Sequence, residues 1–164
     1  MTGRTRKRPP KRDAERMAAY VQRLAGALTE GGVPRMPARV FALLLCGDDG
    51  SATAAELAEQ LQVSAAAISG AVRYLQQVGL IAREREIGGR RDVYRLYNDL
   101  WYEALGDRDQ LLARWTVTFD DGAAVLGAGT AAGKRFEETS RFMAFMRAEL
   151  PLMMQRWHDS EAGR

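Results

Sequence analysis

Residues 53–80 read TAAELAEQLQVSAAAISGAVRYLQQVGL, and this stretch decides the fold. Thr53, followed three positions later by Glu56, forms a capping box. In such a box the hydroxyl accepts from an N–H of the first helical turn, and the carboxylate accepts from the N–H of the cap residue. Leu57 and Leu61 lie four positions apart, which puts them on one face of a helix. The stretch is therefore predicted to begin with a short helix.

A second helix follows a break in the pattern at residues 62–63. Ser64 is suited to cap it, because a serine oxygen accepts from the unpartnered N–H groups of a first turn. Gly79 is expected to end it. Apolar residues recur between them at helical spacing: Ile68, Val72, Leu75 and Val78. Two short helices joined by a tight turn form a helix-turn-helix, whose second helix, here residues 64–78, can enter the major groove of DNA.

The outer face of this second helix carries small side chains. They are followed one turn later by an arginine, so the set is Ala65, Ala66, Ser69, Gly70 and Arg73. Small side chains allow a close approach to base edges. Serine can hydrogen-bond to any base, alanine can contact a thymine methyl, and arginine can bind a phosphate or a guanine. With Ser64, these residues are predicted to contact DNA; the alternative is an alanine-rich surface helix without a partner.

Two extended runs, residues 80–86 and 92–97, follow the second helix. Gly88-Gly89 supplies the positive φ that a tight hairpin needs, so Arg90 and Arg91 are predicted at the hairpin tip.

A hairpin directly after a helix-turn-helix is a wing, here residues 87–92. Its arginines can lie along a phosphate backbone or enter an adjacent minor groove. The alternative is a surface hairpin with solvated charges. Acidic residues support that alternative in part, because they can neutralise several strand arginines, and Asp92 is a candidate to hold one of them in place.

A resemblance to the winged helix-turn-helix of the MarR (multiple antibiotic resistance regulator) family is carried by AELAEQLQVSAAAISGAVRYLQQVGLIARERE (55–86) and GGRRDVYRLY (88–97). The preceding GGVPRMPARVFALLL (31–45) is similar to the opening of its GbsR-like branch. The resemblance covers about residues 13–157. It implies a homodimeric transcription factor, usually a repressor, that a small ligand often releases from DNA. It also implies that the Ser64 helix is the recognition helix and residues 88–92 the wing tip.

Positive charge is concentrated at the N-terminus. The chain has a formal net charge of +3 and a pI near 9.3, values that favour an anionic partner. Residues 1–12 contain six lysines and arginines and no acid, and removing those six charges leaves −3 for the remainder. The tail is too poor in apolar side chains to fold alone. It is either a basic arm that adds salt-sensitive phosphate affinity or an inert solubilising tail.

The sequence lacks a signal-peptide pattern and an apolar run of membrane-spanning length. The single cysteine, Cys46, lies in the apolar run FALLLC, so a buried core thiol is expected and an internal disulfide is excluded. A redox sensor would need an exposed, activated thiolate. These features predict a cytoplasmic protein without a membrane partner.

The predicted fold is mainly α with a small β-hairpin wing: a winged helix-turn-helix core plus N- and C-terminal dimerisation helices. A first helix is expected from Asp13, as its N-cap, to Glu30, and Pro37 suits the first turn of the next. A loop at residues 47–51 returns the chain to Thr53. The predicted parts are a disordered basic tail (1–12), an N-terminal helix (13–32), the winged domain (33–98), a C-terminal helical region (99–157) and a tail (158–164).

Helices are predicted again after the hairpin. A short segment begins at residues 98–99, a longer helix spans about 107–126 with Asp121-Gly122 as a weak point, and the glycine-rich residues 126–133 form a turn. The last helix is expected over residues 131–157, with Pro151 kinking or bending it. It carries two apolar stripes: an a/d repeat of Phe136, Thr139, Met143, Met146, Leu150, Met153 and Trp157, and a second stripe of Phe142, Phe145 and Leu152.

Two apolar stripes exceed what a helical hairpin can cover by itself. A second copy of the chain is therefore the expected partner, with the N- and C-terminal helices forming a two-fold interface. Two recognition helices about 34 Å apart would then read a palindrome. The alternative is a monomer in which these helices fold over the winged domain.

Catalysis finds little support in the residues. His158 is the only histidine and Cys46 the only cysteine, so a zinc set cannot form. Nucleophile motifs and phosphate loops are also missing, so the chain is not expected to be an enzyme or to hold a cofactor or metal. Two functions remain: a DNA-binding regulator, favoured by the small outer face and the arginine tip, and a winged-helix module that binds another protein, favoured by the mildly acidic body.

A pocket for a small-molecule effector is a further hypothesis. It is motivated by aromatic residues around the junction of the winged domain and the dimerisation helices: Trp101, Trp115, Phe119, Phe142 and Phe145. Such residues form packed core more often than a pocket.

Overall fold

The computed structural model describes residues 11–85, 91–97 and 108–163. Within these ranges the chain contains six helices and a three-stranded antiparallel sheet, which confirms the predicted mainly α class with a small β-ribbon. The chain divides into two compact units, residues 1–98 and 99–164. The first holds the helix-turn-helix and the sheet, and the second holds a helical hairpin.

Four helices and three strands make up the described part of the first unit. In chain order they are α1 (Lys11–Glu30), α2 (Arg35–Cys46), β1 (Ser51–Thr53), α3 (Ala54–Leu61), α4 (Ala65–Gln77), β2 (Ile81–Arg85) and β3 (Asp92–Leu96). The prediction that Asp13 caps the first helix is wrong, because α1 begins two residues earlier. Pro37 lies in the first turn of α2 as predicted, where its missing N–H costs no helical hydrogen bond.

Helix α2 forms the centre of the first unit and packs against α1 and α4. Its most buried residues are at most 2% exposed: Ala38, Val40, Phe41, Ala42 and Leu44. Full burial of a side chain as large as Val40, Phe41 or Leu44 stabilises the fold by roughly 1.5–3 kcal/mol. From α1, Val21 and Ala25 join this cluster. Val21 and Ala25 are thus covered within the chain, whereas Met17 and Tyr20 on the same helix are exposed.

The helix-turn-helix forms as the capping pattern predicts. The Thr53 hydroxyl accepts from the Glu56 N–H at 3.2 Å, and the Glu56 carboxylate accepts from the Thr53 N–H at 2.8 Å. The Ser64 hydroxyl caps α4 by accepting from the Ala67 N–H at 3.3 Å. Both predicted helix starts are therefore confirmed.

The end of α3 uses a residue that the sequence pattern does not single out. Gln62 has a left-handed φ of 53°. Its N–H donates to the Glu59 carbonyl, and the Val63 N–H donates to the Ala58 carbonyl, which are the two hydrogen bonds of a Schellman motif. Glycine usually occupies this position, as Gly79 does after α4, where its φ is 74°. Because glutamine occupies this position, the Schellman motif cannot be recognised from the sequence.

Strand β1 corrects the predicted loop over residues 47–51, because Ser51 already pairs with β3. The strand order is β1-β3-β2, with both pairings antiparallel. Ala52 lies opposite Tyr94, and Ala82 lies opposite Arg95. A strand of three residues is too short to show the alternation by which strands are predicted. The pairing fixes the base of the β2–β3 ribbon directly before α3.

The described part of the second unit consists of two helices, α5 (Arg108–Leu126) and α6 (Ala131–Ala162). Between them Gly127 has a φ of 85°, and the Thr130 hydroxyl caps α6 by accepting from the Gly133 N–H at 2.9 Å. The predicted turn is thus confirmed. The short segment predicted from residues 98–99 lies outside the described residues.

The last helix is longer than predicted. It continues past Trp157 to Ala162, so the expected tail from residue 158 is helical up to that point. The helix is also continuous through Pro151. In the described ranges, none of the helices is both long enough and apolar enough to cross a membrane.

Helices α5 and α6 pack closely at Gly122. A Cβ atom at this position would lie 2.5 Å from a ring carbon of Phe136, whose ring meets that of Phe119 edge-to-face. One turn away, the buried Ser140 hydroxyl donates to the Thr116 carbonyl at 3.3 Å. The helix predicted over about residues 107–126 is therefore confirmed, and the glycine makes room for the neighbouring helix without interrupting α5.

Gly122→Ala is expected to destabilise the protein by about 1–3 kcal/mol, because the new methyl group must displace the Phe136 ring. Urea unfolding followed by circular dichroism measures the change. Gly70→Ala is the matched control, since an added Cβ there meets no atom within 4 Å. Alanine at that helical position should raise the free energy of unfolding by about 0.4–1 kcal/mol. Equal changes in both variants would contradict the close approach at Gly122.

Candidate nucleic-acid interface

Helix α4 has one buried and one exposed face. The buried residues are at most 3% exposed: Ile68, Ala71, Val72 and Leu75. The residues predicted to contact DNA on this helix are all exposed: Ser64, Ala65, Ala66, Ser69, Gly70 and Arg73. Within the described part of the first unit, the outer face is therefore not packed against other elements.

Gly70 lies in the middle of the outer face and opens the backbone of α4 to close approach. A Cβ atom built at this position would meet no atom within 4 Å. Glycine in a helix interior costs roughly 0.5–1 kcal/mol relative to alanine. Since packing within the chain does not require the glycine, its cost is better explained by a partner that comes close to the backbone.

Ser64 is the N-cap of α4 and keeps hydrogen-bonding capacity beyond that role. Its oxygen accepts the capping hydrogen bond from Ala67. The hydroxyl hydrogen remains available to donate to a phosphate oxygen. The first N–H groups of a helix and the positive end of its dipole also favour an anion. The start of α4 thus suits a phosphate group, and Ser69 and Arg73 further along suit base edges.

Two ion pairs brace the β2–β3 ribbon. Arg83 donates to the Asp92 carboxylate at 2.5 Å, and Arg95 donates to the Glu84 carboxylate at 3.1 Å. Both pairs run diagonally across the two strands and lie on opposite faces of the ribbon, since side chains alternate along a strand. Arg95 also donates to the Asp49 carbonyl at 3.3 Å, which ties the ribbon to the loop before β1.

The expected structural role of Asp92 agrees with this geometry. The hydrogen bond from Arg83 is the largest influence and lowers the pKa of Asp92; desolvation opposes it, and the nearby charges of Arg83 and Arg85 lower the pKa further. The same hydrogen bond raises the pKa of Arg83. Arg83 is therefore committed to the ribbon.

Arg85 is a candidate that the sequence interpretation missed. It lies opposite Asp92 in the strand register, is exposed, and shares that single carboxylate with Arg83. The carboxylate bonds to Arg83, so this face of the ribbon keeps a net positive charge. The alternation of Arg83 and Arg85 around Glu84 indicates in the sequence that both arginines lie on one face of the strand. Which of the two pairs with Asp92 depends on the strand register.

Of the predicted tip residues, Arg91 is exposed and directly precedes β3. Arg90 and the rest of the predicted tip, residues 87–89, lie outside the described residues. Within the described part, Arg85 and Arg91 are exposed cations at the outer end of the ribbon.

An NMR titration of the Asp92 carboxyl should give a pKa below its ordinary value of 3.8, and Arg83→Gln should raise it towards that value. The stabilisation by the pair is present above the unfolded-state pKa and is lost as the pH falls through the lower folded-state pKa. The ribbon should therefore loosen only in acid, below pH 3.8. Arg95→Gln removes the other pair and should leave the Asp92 titration unchanged. An Asp92 pKa that ignores Arg83→Gln would contradict the pairing.

Cys46 is half-buried at the end of α2, so the prediction of a fully buried thiol is corrected. It packs at the edge of the cluster between α1 and α2, and desolvation raises the pKa of its thiol. A raised pKa lowers the thiolate fraction, which disfavours a redox sensor. Among the described side chains, no group of three or more His, Cys, Asp or Glu residues could hold a metal ion.

The aromatic residues considered for an effector pocket have different surroundings. Phe119 packs against Phe136 with ring centroids 5.5 Å apart. Trp115, Phe142 and Phe145 are 45–58% exposed. Trp101 lies outside the described residues. Packing thus accounts for Phe119, whereas the three exposed rings present apolar surface.

Comparison with family models gives two matches on separate parts of the chain. A model of the MarR family matches residues 31–92. A model of the MmpR5-like MarR family transcriptional regulator matches residues 99–160. Together the two models cover more than half of the chain. The curated proteins yielded no match.

Solved structures are also similar. One crystal structure of a transcriptional regulator has 25% sequence identity and a TM-score of 0.79, with 88% of this chain and 99% of that chain covered. MepR, a transcription regulator of the Staphylococcus aureus multidrug efflux pump MepA, has 14% identity and a TM-score of 0.41, with 84% and 93% covered. AbsC, a MarR family transcriptional regulator from Streptomyces coelicolor, has 15% identity and a TM-score of 0.41, with 67% and 76% covered.

Proposed function

We propose that the chain is a winged-helix transcriptional regulator of the MarR family, and that it acts as a homodimer that represses transcription by binding a palindromic DNA operator. Within the family we propose the GbsR-like branch, which the segment at residues 31–45 supports. The observation that carries the DNA-binding proposal is the exposed outer face of α4, with its open backbone at Gly70.

In the proposed complex the recognition helix, residues 64–78, lies in the major groove. Ser64 and the first turn of α4 bind a phosphate, which sets the position of the helix along the duplex. Ser69 and Arg73 reach base edges, and Ala65 and Ala66 contact thymine methyl groups. Phosphate contacts supply affinity and base contacts supply specificity.

The wing, residues 87–92, lies on the backbone or in the adjacent minor groove. Arg90 and Arg91 bind phosphates or enter the narrow groove, where the negative potential favours arginine. We add Arg85 to this set, because its neighbouring carboxylate is already bonded to Arg83. The ion-paired Arg83 and Arg95 hold the ribbon instead of binding DNA.

The proposed homodimer is supported by the second apolar stripe of α6. Phe142, Phe145 and Leu152 are 49–58% exposed. Apolar surface of this extent on a soluble helix usually marks an interface. Met17 and Tyr20 on α1 are exposed as well, and the proposed two-fold interface uses both helices. Such a dimer presents two recognition helices to one duplex.

We further propose that a small-molecule effector releases the dimer from DNA, which the family resemblance supports. A regulator of this kind acts where the chromosome is, so we propose a cytoplasmic location. We also propose that the chain has no enzymatic activity. The competing function, a winged-helix module that binds only protein, is favoured by the mildly acidic body of the chain. Binding to DNA decides between the two.

Arg73→Ala is expected to weaken binding to the DNA upstream of the chain's own gene by about 1–3 kcal/mol, roughly 5- to 150-fold, because a base contact is lost. A gel-shift titration of the full chain measures the affinity. Gln60→Ala is the control, an exposed residue on α3 outside the proposed contact set. Unchanged binding by Arg73→Ala would refute the assigned contact, and no binding by the wild-type chain to that DNA would favour the protein-binding module.

Replacing Arg90 and Arg91 together by alanine is expected to weaken binding to any duplex and to reduce the slope of log affinity against log salt by about 2, since each phosphate contact contributes about 1. Fluorescence anisotropy at several salt concentrations measures both quantities. The charge-neutral control is Arg83→Ala with Asp92→Ala, which removes an ion pair of the ribbon. A control with the same loss would mean that the wing acts through its folding alone.

Phe145→Glu is expected to convert the dimer to a monomer, because it places a charge in the apolar interface. Sedimentation velocity of the full chain at micromolar concentration measures the oligomeric state. Ala144→Glu adds the same charge at an exposed neighbour about 100° around the helix and should leave the dimer intact. A wild-type chain that sediments as a monomer would overturn the homodimer proposal.

A further inference from the structure

The last carbonyl groups of α3 are satisfied in two different ways. In the Schellman motif the Val63 N–H donates to the Ala58 carbonyl, and the Gln62 N–H donates to the Glu59 carbonyl. The Gln62 side chain gives Glu59 a further donor at 2.6 Å. These local contacts do not reach the carbonyl of Leu61, the final residue of the helix, which lies directly before the turn.

Arg39 of α2 reaches the Leu61 carbonyl from another helix. Its Nη2 donates to that oxygen at 2.9 Å, and its Nη1 lies 3.6 Å from the Met36 sulfur. Leu61 is only 5% exposed, so its carbonyl has little access to water. A cation is also favoured at the C-terminal end of a helix dipole. Arg39 therefore supplies a charge-assisted hydrogen bond where α3 lacks a local donor.

The same side chain carries an unfavourable feature. The Nε atom of Arg39 is buried and has no hydrogen-bond partner among the described residues. Buried polar groups without a partner are rare and destabilising in native proteins. An apolar side chain of similar length would avoid this cost, but it would leave the Leu61 carbonyl without the donor that Arg39 supplies. The arginine is thus better explained by the geometry that it imposes than by the stability that it adds.

The geometry concerns the turn between the two helices of the motif. Only Gln62, Val63 and Ser64 separate α3 from α4, and Ser64 is the N-cap of α4. A displacement of the Leu61 carbonyl is therefore passed to the start of α4 through three residues. A small rotation there moves Ser69 and Arg73 relative to base edges, whereas phosphate contacts tolerate it better.

We propose that Arg39 is a positioning residue for the recognition helix: by holding the end of α3 through its bond to the Leu61 carbonyl, it sets the angle at which α4 meets DNA. The inference rests on the proposed DNA-binding function. It assigns to Arg39 a contribution to sequence discrimination and not a contact with DNA.

The test compares the full chain with Arg39→Met and Arg39→Lys. Affinity is measured for a duplex that the wild-type chain selects from a random-sequence library and for poly(dI-dC). Arg39→Met keeps the apolar stem and loses the donors, so it should lose about tenfold in affinity for the selected duplex, comparable to one base contact, while its affinity for poly(dI-dC) stays the same. Arg39→Lys keeps a donor for Leu61 and should recover most of the loss.

Thr53→Ala is the control for a general loosening of α3. It removes the capping box at the opposite end of the helix, so it lowers stability without freeing the turn. Its ratio of specific to non-specific affinity should equal that of the wild type. Hydrogen exchange of residues 62–68 should become faster in Arg39→Met than in Thr53→Ala, because the former alone releases the Leu61 carbonyl.

Three outcomes overturn the inference. One is an unchanged affinity of Arg39→Met for the selected duplex, and another is an equal loss on both duplexes, which would make Arg39 a phosphate contact. The third is the same shift in ratio for Thr53→Ala, which would make the effect one of α3 stability. Failure of the proposed function looks different, because the wild-type chain itself would then select no duplex over poly(dI-dC).

Discussion

The packing of α4 on α2 is the constraint on which the rest of the first unit depends. Ile68 and Leu75 are fully buried, and so is Phe41 of α2, the largest fully buried side chain among the described residues. A helix of 13 residues that commits one face to the core has no freedom to turn its other face elsewhere. The burial that folds the domain therefore also presents the small outer residues from Ala65 to Arg73. Stability and binding surface follow from one hydrophobic pattern.

The strand register of the β2–β3 ribbon is a second constraint, because it decides which charged side chains form ion pairs. The pairing of β2 with β3 brings Asp92 to Arg83 and Glu84 to Arg95, so two of the arginines are paired with carboxylates of the same ribbon. Exposed ion pairs of this kind add little stability, so their main effect is to hold side chains in place. Positive charge is left at the outer end of the ribbon, on a chain whose residues 13–164 carry a net charge of −3. Such an asymmetric field orients a protein towards a polyanion.

The features that were predicted correctly are those whose partners lie within a few residues. The capping box of Thr53 and the cap at Ser64 are hydrogen bonds over three positions, and the end of α4 at Gly79 follows from a single backbone preference. The errors have the opposite character. Strand β1 was missed because it depends on the pairing of Ser51 with Arg95, 44 positions away in the chain. The packing role of Gly122 depends in the same way on Phe136, which lies beside it in the structure.

The sequence by itself determined the helices of the motif, the apolar face of α4 and the small residues opposite, because capping and the 3.6-residue period are local properties of a chain. Tertiary structure alone decided which arginines are committed to ion pairs, where β1 lies, and that Arg39 meets the Leu61 carbonyl across 22 positions. These contacts depend on strand register and on how helices pack, and both are fixed only when distant segments bury their apolar faces together.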